Sequence, residues 1–212
     1  MMGGGVLLDD LSSLWRVFID GLNKYIASFP YPIYLNEEFI KILLAKTLLD
    51  NGYKVYPEFP LGKTKIDMVV FHNTKLVRLI EIKSFFRRTK KGNKSKWLAS
   101  ILEDIIRCTM LDQEGIPGIE IIAIPEKYPE SGRPLWPYFE INLMPMLKKG
   151  AELYIHYFNP HRKHVGELIE KYGDVGFRVR DIQYSEVHSH AIINDIKAIF
   201  LYIEVERLKS QR

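Results

Sequence analysis

The chain has 212 residues, 47% hydrophobic and 26% charged, with a formal net charge of +4 and a pI near 9.0. That length suits one domain with decorations around a real core, the composition excludes long disorder, and the mild basicity permits nucleic-acid binding without requiring it. Cys108 is the only cysteine, which excludes an internal disulfide and a cysteine-based zinc site. No apolar run approaches the roughly 18 residues that span a bilayer. The start, MMGGGVLLDD, lacks a basic segment and turns acidic at once, so an intracellular, cytoplasmic protein with no membrane attachment is expected.

In chain order, residues 7–28 read as a helix. Leu11, Trp15, Phe18, Leu22 and Tyr25 recur at spacings of four and three between polar residues. That stripe suits packing on the chain's own core; a short self-association face has the same pattern, but two heptads are too few for a coiled coil. The prolines of FPYPIY, residues 29–34, break the helix. Asn36 is placed to cap a second helix that runs to Asn51 and closes at Gly52. Ile40, Leu44 and Leu48 follow Glu37 by three, seven and eleven residues, which sets Glu37 at the rim of the buried face. Glu38 lies about 100° round the helix, nearer Ile42 and Leu49. Either carboxylate also fits the ordinary role of an acid near a helix N-terminus.

Residues 53–59 alternate and read as a strand, with Glu58 near its end, on the surface or as an extra acid beside a site. Residues 65–72 and 76–86 read as two more strands, rich in Ile, Val, Leu and Phe and joined at Asn73-Thr74-Lys75. If that link is a three-residue hairpin loop, His72 faces Leu76 and the count puts Asp67 opposite Glu81. Glu81 and Lys83 then share one face, with Leu79 before them and Ile80 and Ile82 on the other. A strand apolar on both faces is central and covered. Two facing carboxylates repel there, and burying one unpaired costs several kcal/mol. A divalent cation between Asp67 and Glu81 removes the conflict; an ordinary salt-bridged strand end is the simpler alternative.

With Glu37 on a helix, Asp67 on the second strand after it and Glu81-Ile82-Lys83 on the third, the chain resembles the PD-(D/E)xK nuclease superfamily, whose core runs αβββαβ. The resemblance covers about residues 36–124; Ile66 stands where the signature has proline, and Glu38 is the other choice for the helix carboxylate. It implies an α/β, restriction-endonuclease-like fold with a mixed central sheet flanked by helices. Residues 1–212 would form one nuclease-like domain, with an N-terminal helix within 1–35 and a C-terminal elaboration over 125–212. It also implies Mg²⁺- or Mn²⁺-dependent DNA hydrolysis, the cation held by Asp67, Glu81 and the Ile82 carbonyl, with Glu37 on a second metal or a metal-bound water, Lys83 positioning that water or offsetting the developing charge, and no nucleotide cofactor. A junction-resolving, structure-selective endonuclease working as a homodimer is the expected subtype. The whole chain is similar to the nuclease-like proteins of Sulfolobus spindle-shaped viruses, which would place it in a host cytoplasm. A catalytically silent DNA-binding or assembly protein, and an exonuclease or restriction-type enzyme, are the rivals on the same scaffold.

Between Glu81 and Glu103 there is no acidic residue, and Lys83 is followed by Arg87, Arg88, Lys90, Lys91, Lys94 and Lys96. A basic loop beside an acidic site suits a DNA phosphate backbone. Residues 95–113 read as a helix with Leu98, Ile101, Leu102, Ile105 and Leu111 buried, and Trp97 either stacks on a base or packs inside. Residues 119–124 read as a short apolar strand parallel to the one carrying Glu81. Residues 125–150 read as irregular, 151–158 and 177–184 as strands, and 165–172 as a helix. His161, His164, His188 and His190 lack zinc-site spacing and read as surface or DNA-facing residues. Residues 191–208, apolar all round, read as a buried C-terminal helix, although 203–206 alternate like a strand.

Overall fold

The computed structural model describes residues 11–28, 35–61, 64–86, 94–109, 116–128, 131–158, 163–188, 192 and 195–208. Its first helix, α1 (Leu11–Ala27), buries Trp15, Phe18, Leu22 and Ile26. Tyr25 is instead 43% exposed and meets Phe39, so the buried stripe is one residue out of step with the sequence reading at this end. The stripe packs on the core. In α2 (Glu37–Asp50) the Asn36 side chain accepts the Phe39 N–H at 2.9 Å, and Gly52, at φ +84°, follows the C-terminus, as expected of these two residues.

Three strands follow: β1 (Lys54–Leu61), β2 (Thr64–His72) and β3 (Lys75–Ser84), each antiparallel to the one before. Helix α3 (Lys94–Cys108) carries the chain over to β4 (Gly118–Pro125), which lies parallel to β3 as a helical crossover requires. Residues 125–150, expected to be irregular, contain a short helix, α4 (Trp136–Asn142). The strand expected over 151–158 is only β5 (Glu152–Tyr154), continued by a 3₁₀ turn (Ile155–Phe158). Helix α5 (Lys163–Tyr172) and strand β6 (Gly176–Val187) stand where they were expected.

The C-terminal helix is a strand. β7 (Ala198–Arg207) inserts antiparallel between β4 and β6 and completes a seven-stranded mixed sheet in the order β1-β2-β3-β4-β7-β6-β5. A strand covered on both faces is apolar at successive positions, so its sequence mimics a helix buried all round. The β-branched and aromatic run Ile199, Phe200, Tyr202, Ile203 and Val205 was the discriminating signal.

The molecule is thus mixed α/β, with five α-helices among the described residues. Helices α1 and α2 pack on one face through Phe18, Leu22, Ile40 and Leu48 against Met68, Ile80, Ile121 and Phe200. On the other face α3, α4 and α5 pack through Ile101, Ile105, Phe139 and Val165 against Ile122, Ile124 and Ile203. Among the described residues no helix is long and apolar enough to cross a membrane.

The end of α3 is pressed onto the start of β4. A Cβ added at Gly118 would lie 2.3 Å from Cys108 Cβ and 2.6 Å from its carbonyl oxygen. Gly118→Ala is therefore expected to cost about 1–3 kcal/mol by overpacking, measured by urea unfolding. An unchanged midpoint would show that the two elements can part freely.

Candidate active site

The ladder between β2 and β3 stops at Met68↔Ile80. β2 nevertheless continues to Thr64 against β1, and β3 continues to Ser84 against β4. The sheet splits between these two strands, and Asp67 and Glu81 are the next residues at the fork. Their opposition is reached differently from the expected route. The link is a two-residue turn at Asn73-Thr74, with His72 paired to Lys75 and Asn73 at φ +56°. A register shift between Val70 and Phe71 restores the missing residue, so the count beyond it is the same as for a three-residue loop.

Past the fork, β3 has lost its neighbour, and its backbone donors on that edge need acceptors. Asp67 Oδ2 accepts the Ile82 N–H at 2.8 Å, and Glu37 Oε1 accepts the Ser84 N–H at 3.2 Å. The helix carboxylate that reaches β3 is therefore Glu37; Glu38 stays 75% exposed. Asp67, Glu37 and the segment 81–84 are brought together as the sequence suggested.

Their charges are not free, and the residues that engage them were not singled out from sequence. Lys41, one turn after Glu37 on α2, places Nζ 2.8 Å from Asp67 Oδ1, 2.9 Å from Glu58 Oε1 and 3.2 Å from Glu38 Oε1. Burial works against its charge, but these three carboxylates outweigh burial and hold its pKa above the usual value. Glu58, left open as surface or site, is tied to the site by this contact. It lies between the pairs Pro57↔Met68 and Phe59↔Ile66, hence opposite Asp67, at φ +51°, a conformation that strains a non-glycine residue.

On the other side, α3 presents Asp104 and Arg107 one turn apart to Lys83 and Glu81. Lys83 Nζ lies 2.6 Å from Asp104 Oδ2, Arg107 Nε lies 3.2 Å from Glu81 Oε1, and the Arg107 guanidinium also pairs with Asp104. Burial lowers the Lys83 pKa, but Asp104 and then Glu120 more than reverse this and keep the ammonium charged. Glu81 is 2% exposed, and its contact with Arg107 is too poorly aligned to be a hydrogen bond, which leaves Oε1 unsatisfied. Burial pushes Glu81 up to about 9; Arg107 offsets part of this, while Asp67, to which it is hydrogen-bonded, and Asp104 add to it.

Glu120 on β4 sits level with Glu81, fully buried, with neither oxygen hydrogen-bonded. Burial, then Asp104, drive its pKa well above the usual carboxylate range. A lone glutamate in a strand covered on both faces was a legible signal for it. Asp104, at the helical spacing of Trp97 and Ile101, was another.

Of the basic run, Lys96 is exposed on α3. Lys94 opens that helix, but its side chain, like Arg87, Arg88, Lys90 and Lys91, lies outside the described residues. Trp97 packs inside against Phe85 and Tyr128. His164 pairs with Glu167 and His188 with Asp195, two separate contacts; His161 and His190 lie outside the described residues.

Asp67, Glu81 and Glu37 carry hard oxygens of the type that Mg²⁺ or Mn²⁺ takes, and Glu81 Oε1 is buried without a hydrogen-bond partner. As arranged, Lys41 and Arg107 take these charges. Among the described residues no group of three or more His, Cys, Asp or Glu stands where it could hold a metal ion.

A carboxyl whose pKa rises on folding binds its proton more tightly in the native state. Glu81 therefore stabilises the fold fully below the ordinary glutamate value of 4.5, and that contribution is lost as pH rises towards 9. In EDTA, urea unfolding across this window should show a decline in stability that is shallower in Glu81→Gln; parallel curves would mean that Glu81 is ionised throughout. Comparison of the chain with protein-family models, curated proteins and solved structures gives no match, so its functional reading rests on its own geometry.

Proposed function

We propose that the chain is a Mg²⁺- or Mn²⁺-dependent DNA nuclease of the PD-(D/E)xK type, with a restriction-endonuclease-like core formed by α2, β1, β2, β3, α3 and β4. Within that class we favour a structure-selective, junction-resolving endonuclease of replication, repair or recombination, acting as a homodimer. The observation that carries the reading is the fork itself: Asp67 and Glu81 are the next residues where the sheet opens, and Glu81 has an unsatisfied buried oxygen. A like-charge contact of that kind is costly unless a proton or a cation resolves it.

Asp67, Glu81, the Ile82 carbonyl and Glu37 would hold the cation. When bound, it supplies positive charge to the phosphoryl oxygen and a water of lowered pKa. Lys83, kept charged by Asp104, offsets negative charge building on the phosphate. Arg87, Arg88, Lys90, Lys91, Lys94 and Lys96 lie next in the chain after the acidic site and would bind the DNA backbone through phosphate contacts.

The second reading is a catalytically silent DNA-binding or assembly protein on the same scaffold. It is favoured by the ion pairs of Lys41 with Asp67, Arg107 with Glu81 and Asp104 with Lys83, which engage all three groups.

Linear, single-stranded and four-way-junction DNA, incubated with the protein in Mg²⁺ or EDTA, separates these readings. Cleavage is expected in Mg²⁺ alone, reduced about 100-fold or more by Asp67→Asn or Lys83→Ala with DNA binding retained. Binding without cleavage on every substrate would favour the silent module, and progressive shortening from ends an exonuclease. Neutralising Arg87, Arg88, Lys90 and Lys91 should weaken binding and flatten its salt dependence. No change in either would remove that segment from the DNA surface.

A further inference from the structure

We propose that α2 joins two copies of this chain, packed antiparallel about a two-fold axis at Ile42. The inference rests on the homodimer part of the reading above, to which it gives an interface, and on none of the nuclease chemistry.

Exposed apolar surface is concentrated on one side of the molecule. Among the described residues, four of the eight exposed large hydrophobic side chains, Val17, Tyr25, Ile42 and Leu49, stand on α1 and α2. Helix α2 buries Ile40, Leu44 and Leu48 towards the sheet and leaves Ile42 71% and Leu49 55% exposed on its outer side. At about 100° per residue, Ile42 and Leu49 point within about 20° of one another and form one ridge. The small Ala45 between them allows a second helix to come close. Tyr25 of α1 meets Phe39 at the head of α2 and extends the surface. Single exposed apolar residues are ordinary, but a group of them on adjoining helices marks a contact surface.

The charges flanking the ridge fit a second copy. Glu38 and Lys46 lie four residues before and four after Ile42, about 40° to either side of it. Their side chains are 75% and 68% exposed. A two-fold axis at Ile42 therefore sets Glu38 of each copy level with Lys46 of the other, so one arrangement makes two opposite-charge pairs. Ile42 then meets its own counterpart, and Leu49 comes level with the start of the other α2. Within one copy Glu38 touches Lys41 at 3.2 Å and Lys46 touches Asp50 at 2.6 Å. Glu38 and Lys46 stand in water, where such contacts are worth little and can be shared across the axis. Antiparallel helix dipoles add to the attraction. The edges of the sheet offer a second copy less. β1 carries Pro57, Pro60 and the positive-φ Glu58, and β5 is three residues long.

The test is sedimentation equilibrium of the full chain in EDTA, without DNA. Wild type should show a monomer–dimer equilibrium, weakened about 100-fold or more by Ile42→Glu. Glu38→Lys and Lys46→Glu should each weaken it about tenfold, because like charges then face each other across the axis. Mixed together, these two variants should associate with each other at least as tightly as wild type, since one face then carries two bases and the other two acids. Thermal melting checks that each variant is folded; if Ile42→Glu is not, Ile42→Ser and Leu49→Ser should weaken the dimer in its place. A wild type that stays monomeric at every concentration overturns the inference and the homodimer with it. A dimer that Ile42→Glu leaves unchanged overturns the inference alone, with the homodimer formed through another face. Charge variants that fail to pair when mixed overturn the axis at Ile42.

Discussion

Two strands that part inside a sheet expose a row of backbone donors, and those donors must be met. In this protein the row belongs to β3 beyond Ile80, and the acceptors are side chains: Asp67 for Ile82 and Glu37 for Ser84. The split thus recruits carboxylates for a structural reason before any chemistry is asked of them. Having drawn acids to one corner, the fold needs cations close by. Lys41 arrives from α2 on one face and Arg107 from α3 on the other.

The resulting chain of contacts alternates in sign except at one link. It runs Lys41, Asp67, Glu81, Arg107, Asp104, Lys83, and only Asp67–Glu81 joins like to like. Burial weighs most at that link, on Glu81, and pushes its pKa up. Glu120 extends the same logic one strand further, as a buried carboxyl pushed well above the usual range with no donor to stabilise its anion. Apolar residues of similar volume would stabilise such a corner at least as well. Stability alone therefore does not account for so much polarity in one place.

Much of this corner could be read from the sequence, and the failures have physical causes. The cap at Asn36, the glycine after α2 and the parallel crossover all rest on local rules, and each stands where it was expected; the hairpin does too, apart from a turn one residue shorter than expected. Glu37, Asp67 and Glu81 were found because acids beside apolar runs are conspicuous. Lys41, Asp104 and Arg107 were passed over because a charged residue on a helix is usually solvated, and only the packing of α2 and α3 on the sheet shows otherwise. β7 was misassigned because burial on both faces erases the two-residue period that separates strand from helix.

The hairpin between β2 and β3 contains its own vernier. Its tight turn is one residue short of the spacing that sets the two acids abreast, and the irregularity beside Val70 supplies that residue further down the ladder. A longer connection at the tip could draw on this reserve, flattening the irregularity while the far end of the strands keeps its alignment. The alignment of the acids is thereby insulated from the hairpin tip, the most changeable stretch of the element that carries them.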